Sequence, residues 1–351
     1  MTGVPEIAVL GGGHGALAAA GDLALRGFRV RLALRNRRRF AELFETGRLA
    51  IGGAAGEGVA ELAVVTDDHA AAVRGAELTL IPLPATAQEA MARLLVGAVE
   101  PGQPVALLPG NLGSAVMSPV LPGAVFAETA TLPYGARQRG PAAVGTALRA
   151  RHLPTGVWPR SETERMLALF RQAYPEAEPV EDALAAALLN SNGSLHAPLV
   201  LLNAGPIERL SEYDIHVEGT TPGILRVIEA LDEERMALRD ALGYRPPHWP
   251  LLDYYRDADW FYGPGAFSRV QNRSVWREKI DFGHRYLAED VSCGLALWAS
   301  LGRAAGVALP LTEAFLRLTA AITGVDHYAR GRTLESLGLD LAQLRAWLGA
   351  R

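Results

Sequence analysis

The chain holds a single cysteine, Cys293, in 351 residues, so an intrachain disulfide is impossible and a reducing compartment is expected. It also holds a single lysine, Lys279, set in the charge cluster Arg277-Glu278-Lys279, so chemistry that needs a lysine acid elsewhere has no candidate. No apolar run reaches the roughly 18 residues that a membrane span requires, because Gly, Pro or a charge interrupts each one. Neither sign of charge dominates. A net charge of −4 creates no field that would gather nucleic acid, and small charged metabolites are the expected partners. The start Met-Thr-Gly-Val-Pro-Glu has no basic-then-apolar leader, which adds to the expectation of a cytoplasmic protein. No metal site is expected.

What is present suffices for two compact domains: 49% of residues are hydrophobic and 21% charged. In the first half short apolar runs alternate with helical stretches. Ile7 to Leu10, Val30 to Leu34, Leu78 to Leu83 and Val105 to Leu108 read as strands. Helices are expected over 16–25, closed by Gly27, over 85–96, and over 161–173, where Ser161 and Glu164 have capping-box spacing. Ala177 to Val180 reads as an edge strand. Short apolar strands between helices imply a parallel sheet covered on both faces.

Beyond Glu181 the pattern turns helical, over 183–202, 224–242, 289–305 and 311–322. The expected architecture is therefore α/β, a Rossmann-type parallel-sheet domain over 1–181 followed by an all-helical domain over 182–351. The stretch 244–283, rich in Pro, Tyr, Trp and Gly, is too long for a simple connector and is expected to cover the cleft. Internal repeats are absent, and the Ala/Gly bias reads as genomic rather than structural.

Gly11-Gly12-Gly13-His14-Gly15-Ala16 follows the first strand and opens a helix. In the pattern Gly11-x-Gly13-x-x-Ala16, Gly11 permits the tight turn, Gly13 lets backbone N–H groups approach a pyrophosphate, and Ala16 keeps helix and strand close. The expected dinucleotide contacts are Gly11, Gly13, His14, Gly15 and Ala16, with Pro84 after a later strand. At the end of the second strand an NAD site should carry an Asp or Glu, yet the chain reads Ala33-Leu34-Arg35-Asn36-Arg37-Arg38-Arg39. Arg35, Asn36 and Arg37 suit an adenosine 2′-phosphate, so NADP is expected ahead of NAD.

Asn190-Ser191-Asn192-Gly193-Ser194-Leu195-His196-Ala197-Pro198 breaks helix rules. Gly and Pro inside a helix cost roughly 1 and 3 kcal/mol relative to Ala. If the segment stays helical, Asn192 and His196 share a face. On local sequence alone His196 reads more readily as a satisfied core histidine than as a working one. In Arg285-Tyr286-Leu287-Ala288-Glu289-Asp290-Val291 the bland reading is an Arg285/Glu289 surface pair. Asp290 is either a helix cap or a functional acid, and a fully helical segment would turn it away from Arg285.

These stretches, together with Gly219-Thr220-Thr221-Pro222 and Gly331-Arg332-Thr333-Leu334-Glu335-Ser336-Leu337-Gly338-Leu339, resemble the opine dehydrogenases along nearly the whole chain and in the same order. The resemblance implies an enzyme that joins an α-keto acid to the amino group of an amino acid and reduces the imine with NAD(P)H. It implies that His196 is the catalytic histidine, Asp290 its paired carboxylate, and Arg285 a guanidinium that holds a substrate carboxylate. Asn192 would bind the nicotinamide amide or the substrate, and a homodimer is the ordinary expectation. The departure is at Leu34 and Arg35, where several relatives carry an acid suited to NAD. Aromatic residues Trp249, Tyr254, Tyr255, Trp260 and Tyr262 are candidates for the amine pocket. Two other classes share such a layout. A ketopantoate reductase or hydroxy-acid dehydrogenase type should carry a lysine acid in the second half, and a non-catalytic nucleotide-binding protein should have lost His196, Arg285 or Asp290.

Overall fold

The computed structural model describes residues 4–254, 261–263, 265–270 and 279–349. The chain divides into two compact units, Met1–Ala186 and Ala187–Arg351.

The first unit is built on β1 (Glu6–Leu10), β2 (Arg29–Ala33), β3 (Arg48–Gly53), β4 (Gly58–Glu61), β5 (Val64–Thr66), β6 (Leu78–Ile81), β7 (Pro104–Leu107), β8 (Val125–Thr129), β9 (Tyr134–Gly140), β10 (Ala143–Arg149), β11 (Leu153–Trp158) and β12 (Ala177–Pro179). Eight of them form one sheet in the order β12-β11-β8-β7-β6-β1-β2-β5. All its pairings are parallel except β11 with β8. The central strands are apolar end to end, as burial on both faces demands. One face packs Leu10, Ile81, Val105, Leu107 and Phe126 against Val73, Met91, Leu95 and Met117.

The second sheet, in the order β4-β3-β10-β9, is absent from the sequence expectations. Its strands alternate; β3 runs exposed, buried, exposed, buried before ending in glycines. The helix His14–Leu25 packs against both β1 and β2 of the large sheet and all four strands of the small one. That placement corrects the reading of its Ala/Gly content. Residues 15–23 are all buried, and a Cβ at Gly21 would meet Ile51 at 3.1 Å. A helix buried all round needs small residues on every face, so the composition here is structural.

The capping box at Ser161 is not formed. A 3₁₀ turn over Arg160–Glu162 follows Pro159, and the helix proper is Thr163–Ala173, with Glu162 at its N-cap making no side-chain cap bond. The Thr163 hydroxyl instead donates to the Arg160 carbonyl, and Glu162 accepts from Arg165.

The second unit is helical, and among its described residues there is no strand. The expected helix over 183–202 is two pieces, Ala183–Ala187 and Asn192–Leu201. The break is stabilised by other bonds: Arg235 donates to the Leu188 carbonyl at 2.9 Å, and the Asn190 side chain accepts from the Asn192 backbone at 3.0 Å. An asparagine offering that alternative competes directly with helix continuation. Helix Pro222–Ala241 packs against Asn192–Leu201 and carries a buried pair, Asp232 and Arg235, at 2.7 Å. Asp232 also accepts from Ser194 and from the Leu251 backbone, while Arg235 donates to Trp249. The expected helix over 289–305 is a π-helical segment, Asp290–Leu295, followed by an α-helix, Ala296–Ala305. Among the described residues no helix is long and apolar enough to cross a membrane.

Candidate active site

In the first unit the loop after β1 opens a cavity of about 400 Å³ lined by Gly11, Gly12, Gly13, Arg35, Asn36, Arg39, Phe40, His69 and the stretch from Pro82 to Leu94 that includes Pro84. Gly11 has φ +126°, a conformation that L side chains rarely adopt, and a Cβ there would strike Leu83 at 2.6 Å. A Cβ at Gly13 would meet no protein atom within 4 Å. Packing does not demand that glycine, whereas backbone access at a helix start, where N–H groups and the helix dipole favour an anion, does. His14, Gly15 and Ala16 do not line the cavity. His14 Nδ1 accepts the backbone N–H of Gln138 at 2.8 Å, Gly15 packs under Leu132, and Ala16 is buried. They set the loop's position.

The basic run divides in the same way. Arg35 and Arg39 line the cavity, and Asn36 shapes the turn by accepting from the Arg39 backbone at 2.9 Å. Arg37 does not line it; its guanidinium pairs with Asp67 at 3.5 Å and lies 4.6 Å over the Phe44 ring. His69, which sequence reasoning missed, donates from Nδ1 to the Asp67 carbonyl at 3.2 Å, and its Nε2 is buried without a hydrogen-bond partner. Burial, with Arg35 adding to it, pushes its imidazole pKa down. The lining therefore combines two guanidinium groups, a turn amide and an imidazole with the apolar side chains of Leu83, Ala87, Met91 and Leu94. An anionic sugar phosphate and a flat base fit that combination.

In the second unit His196 and Asp290, 94 residues apart, meet at 2.7 Å between Nδ1 and Oδ2, with both side chains buried. Close packing of two backbones makes this contact possible. A Cβ on Gly193 would sit 3.1 Å from Leu295 and 3.4 Å from the Asp290 carbonyl, and a Cβ on Gly294 would reach the Gly193 Cα at 4.0 Å. Gly193 thus has a packing role that the sequence did not reveal: it lets the His196 helix lie directly on the π-helical segment. That segment is held from its other side. Arg332 N–H donates to the Ser292 carbonyl at 2.7 Å, and a Cβ on Gly331 would strike the same oxygen. The closing Gly331 to Leu339 motif is a support, fixed by the Thr333/Ser336 capping box and by Ser300, which accepts from Leu334 and donates to Glu335.

Arg285 begins the single helical turn Arg285–Ala288 and pairs with Glu289, not Asp290, at 3.5 Å. The bland i,i+4 pair and the His196–Asp290 pair coexist because consecutive residues leave a helix about 100° apart. Glu289 is 3% exposed and Arg285 45%, so the guanidinium reaches outward from a buried acid. Burial pushes the Asp290 carboxyl up to about 7, with the charges of Arg285 and His284 pulling it partly back. Asn192 is the first residue of the His196 helix, one turn before the imidazole. Tyr286, which no local pattern in the sequence singles out, stacks on His196 with ring centroids 3.6 Å apart and planes 10° apart. Its hydroxyl is hydrogen-bonded to His216 Nε2 at 3.1 Å. Gly219 packs on Asn203, and Thr221 and Pro222 start the helix Pro222–Ala241, so that motif is architectural. Of the aromatic candidates, Tyr255 and Trp260 lie outside the described residues, and the Trp249 carbonyl is held by Arg235.

The chain is similar to known proteins in sequence and in fold. A family model described as NAD/NADP octopine/nopaline dehydrogenase, alpha-helical domain, matches residues 179–323. An opine dehydrogenase of Arthrobacter sp. (strain 1C) is 30% identical over 345 residues, 95% of each chain. Among solved structures, an octopine dehydrogenase in complex with NADH and agmatine superposes with a TM-score of 0.73 at 18% identity, over 99% of each chain. Yersinopine dehydrogenase with NADP+ bound gives 0.66 at 18% identity, over 98% of this chain and 97% of the other.

Proposed function

The chain belongs to the opine dehydrogenase family, and from that premise we propose that it condenses an α-keto acid with the amino group of an amino acid or amine and reduces the imine, using NADPH ahead of NADH. It is an NAD(P)-dependent oxidoreductase acting on CH–NH bonds. The 2.7 Å bond between His196 and Asp290, both buried, carries the mechanistic reading.

A carbonyl must gain a proton as the amine adds, and water must leave before reduction, so the site needs a group that both gives and takes a proton near neutrality. His196 supplies it. With Nδ1 bonded to Asp290, proton exchange with substrate is assigned to Nε2, and Asp290 fixes the tautomer and stabilises the imidazolium. Arg285, anchored by Glu289 and about half exposed, presents a planar fork to a substrate carboxylate. Asn192, on the face of His196, hydrogen-bonds a polar group of the substrate or of the nicotinamide.

The bound cofactor supplies the hydride. The first unit's residues suit it: Gly11 and Gly13 give backbone access at a helix start, and Arg35 and Arg39 suit a 2′-phosphate. The missing acid after β2 supports NADPH. The chain's one lysine, Lys279, is exposed and lies outside the His196 cluster, which disfavours a lysine-dependent reduction of a free keto acid.

The test is an amine panel against pyruvate, oxaloacetate and α-ketoglutarate with NADPH, following cofactor absorbance and product mass. Oxidation that requires both keto acid and amine, with a secondary amine as product, is expected. Oxidation with keto acid alone would overturn the reading in favour of a hydroxy-acid dehydrogenase.

A further inference from the structure

The partners of His196 do not end with Asp290. Tyr286 covers one face of the imidazole, nearly parallel and at 3.6 Å between centroids. Two neutral aromatic rings avoid face-to-face stacking, because their quadrupoles repel, and prefer offset or edge-on contacts. A cation over the face of a phenol is attracted by the same quadrupole. The arrangement therefore favours the protonated ring.

Tyr286 is itself held on several sides. Its hydroxyl bonds His216 Nε2 at 3.1 Å, its backbone N–H donates to His284 Nδ1 at 3.3 Å, and the His284 ring meets it edge-on at 4.4 Å. Restraint of this kind keeps the phenol face against His196.

The geometry points to Tyr286 as a positioning residue that holds His196 in its orientation and, through its ring face, raises the fraction carrying the proton. This inference deepens the proton-carrying role given above to His196.

Several charges on the elements around His196 are paired, and helix Pro222–Ala241 also carries Arg226, Glu229, Glu233, Glu234, Arg239 and Asp240. Arg285 is paired with Glu289 on the turn that carries Tyr286. Helix Pro222–Ala241 contributes Asp232 and Arg235, paired at 2.7 Å, and helix Pro310–Thr323 contributes Glu313 and Arg317, paired at 3.6 Å. Helix Ala204–Arg209 contributes exposed Glu208 and Arg209. His284 Nδ1 accepts the Tyr286 backbone N–H, and His216 is bonded to the phenol. Asp290 and the Tyr286 ring are both in direct contact with the imidazole.

The experiment is an NMR titration of the histidine ring signals in the cofactor-free protein, with His196 assigned by its loss in His196→Ala. Tyr286→Leu and Tyr286→Met remove the ring but keep an apolar side chain; each should lower the His196 midpoint by about half a pH unit or more. Tyr286→Phe keeps the face and should titrate close to the unsubstituted protein. An unchanged midpoint in whichever of the leucine and methionine variants folds, or a phenylalanine variant that shifts as far as they do, would overturn the proposal. Because the readout needs no substrate, a failure here is distinct from a failure of the amine panel.

Discussion

Glu289 and Asp290 are neighbours in sequence with different partners, and the difference gives a sharp residue-scale prediction. Asp290 is bonded to His196, and Glu289 is paired with Arg285. Asp290→Asn keeps the shape but removes the charge that Asp290 carries above its raised pKa of about 7 and that stabilises imidazolium, so the histidine pKa falls. With His196 as the acid in condensation, activity is lost as pH rises through that pKa, and the alkaline limb of the pH–rate profile should move to lower pH. Turnover should also fall steeply. Glu289→Gln should leave the limb where it is and act mainly on the KM of the carboxylate substrate, through a less firmly held Arg285. A Glu289 variant that shifts the limb as the Asp290 variant should would reverse the assignment. At this scale the ordered motifs of a family singled out His196, Asp290 and Arg285, and the fold brings the first two into hydrogen-bond contact. Tyr286 and His216 were not singled out, because a stack between residues 90 apart in sequence and a bond between residues 70 apart leave no local pattern.

At the scale of elements, the central strands and the cofactor loop were readable because burial on both faces writes an unbroken apolar run. The small sheet was not, since its strands mix buried positions with partly exposed ones and are interrupted by Gly, with Arg in β3, β9 and β10. Nor was the π-helical segment Asp290–Leu295, whose composition reads as ordinary helix; a wider turn of this kind recurs at functional sites. The turn after β2 had been read as one basic cluster, and the fold separates its members. NADPH should bind at least tenfold more tightly than NADH, and Arg35→Ala with Arg39→Ala should erase that ratio, a change of about 1.4 kcal/mol. Arg37→Ala should nearly preserve it, because that guanidinium does not line the cavity and is paired with Asp67. Competitive titration of the two cofactors decides the matter, and equal affinities in the unsubstituted protein would remove the NADP assignment.

At the scale of the whole molecule the two units carry different chemistry. The first has a glycine turn, a basic edge and an apolar wall suited to a dinucleotide, while the second has a buried histidine–carboxylate pair beside an arginine. Two domains and their classes were visible from the switch between strand-and-helix alternation and helical periodicity. The packing devices that bring the second site together, Gly193 against Gly294 and Arg332 on Ser292, depend on contacts that only the fold creates. The most direct measurement of this division is His196→Ala, assayed for cofactor affinity and for turnover on the same preparation. The account predicts NADPH binding as in the unsubstituted protein and a loss of at least a hundredfold in turnover, the scale of a general acid or base. Near-normal turnover would contradict it and return His196 to the core.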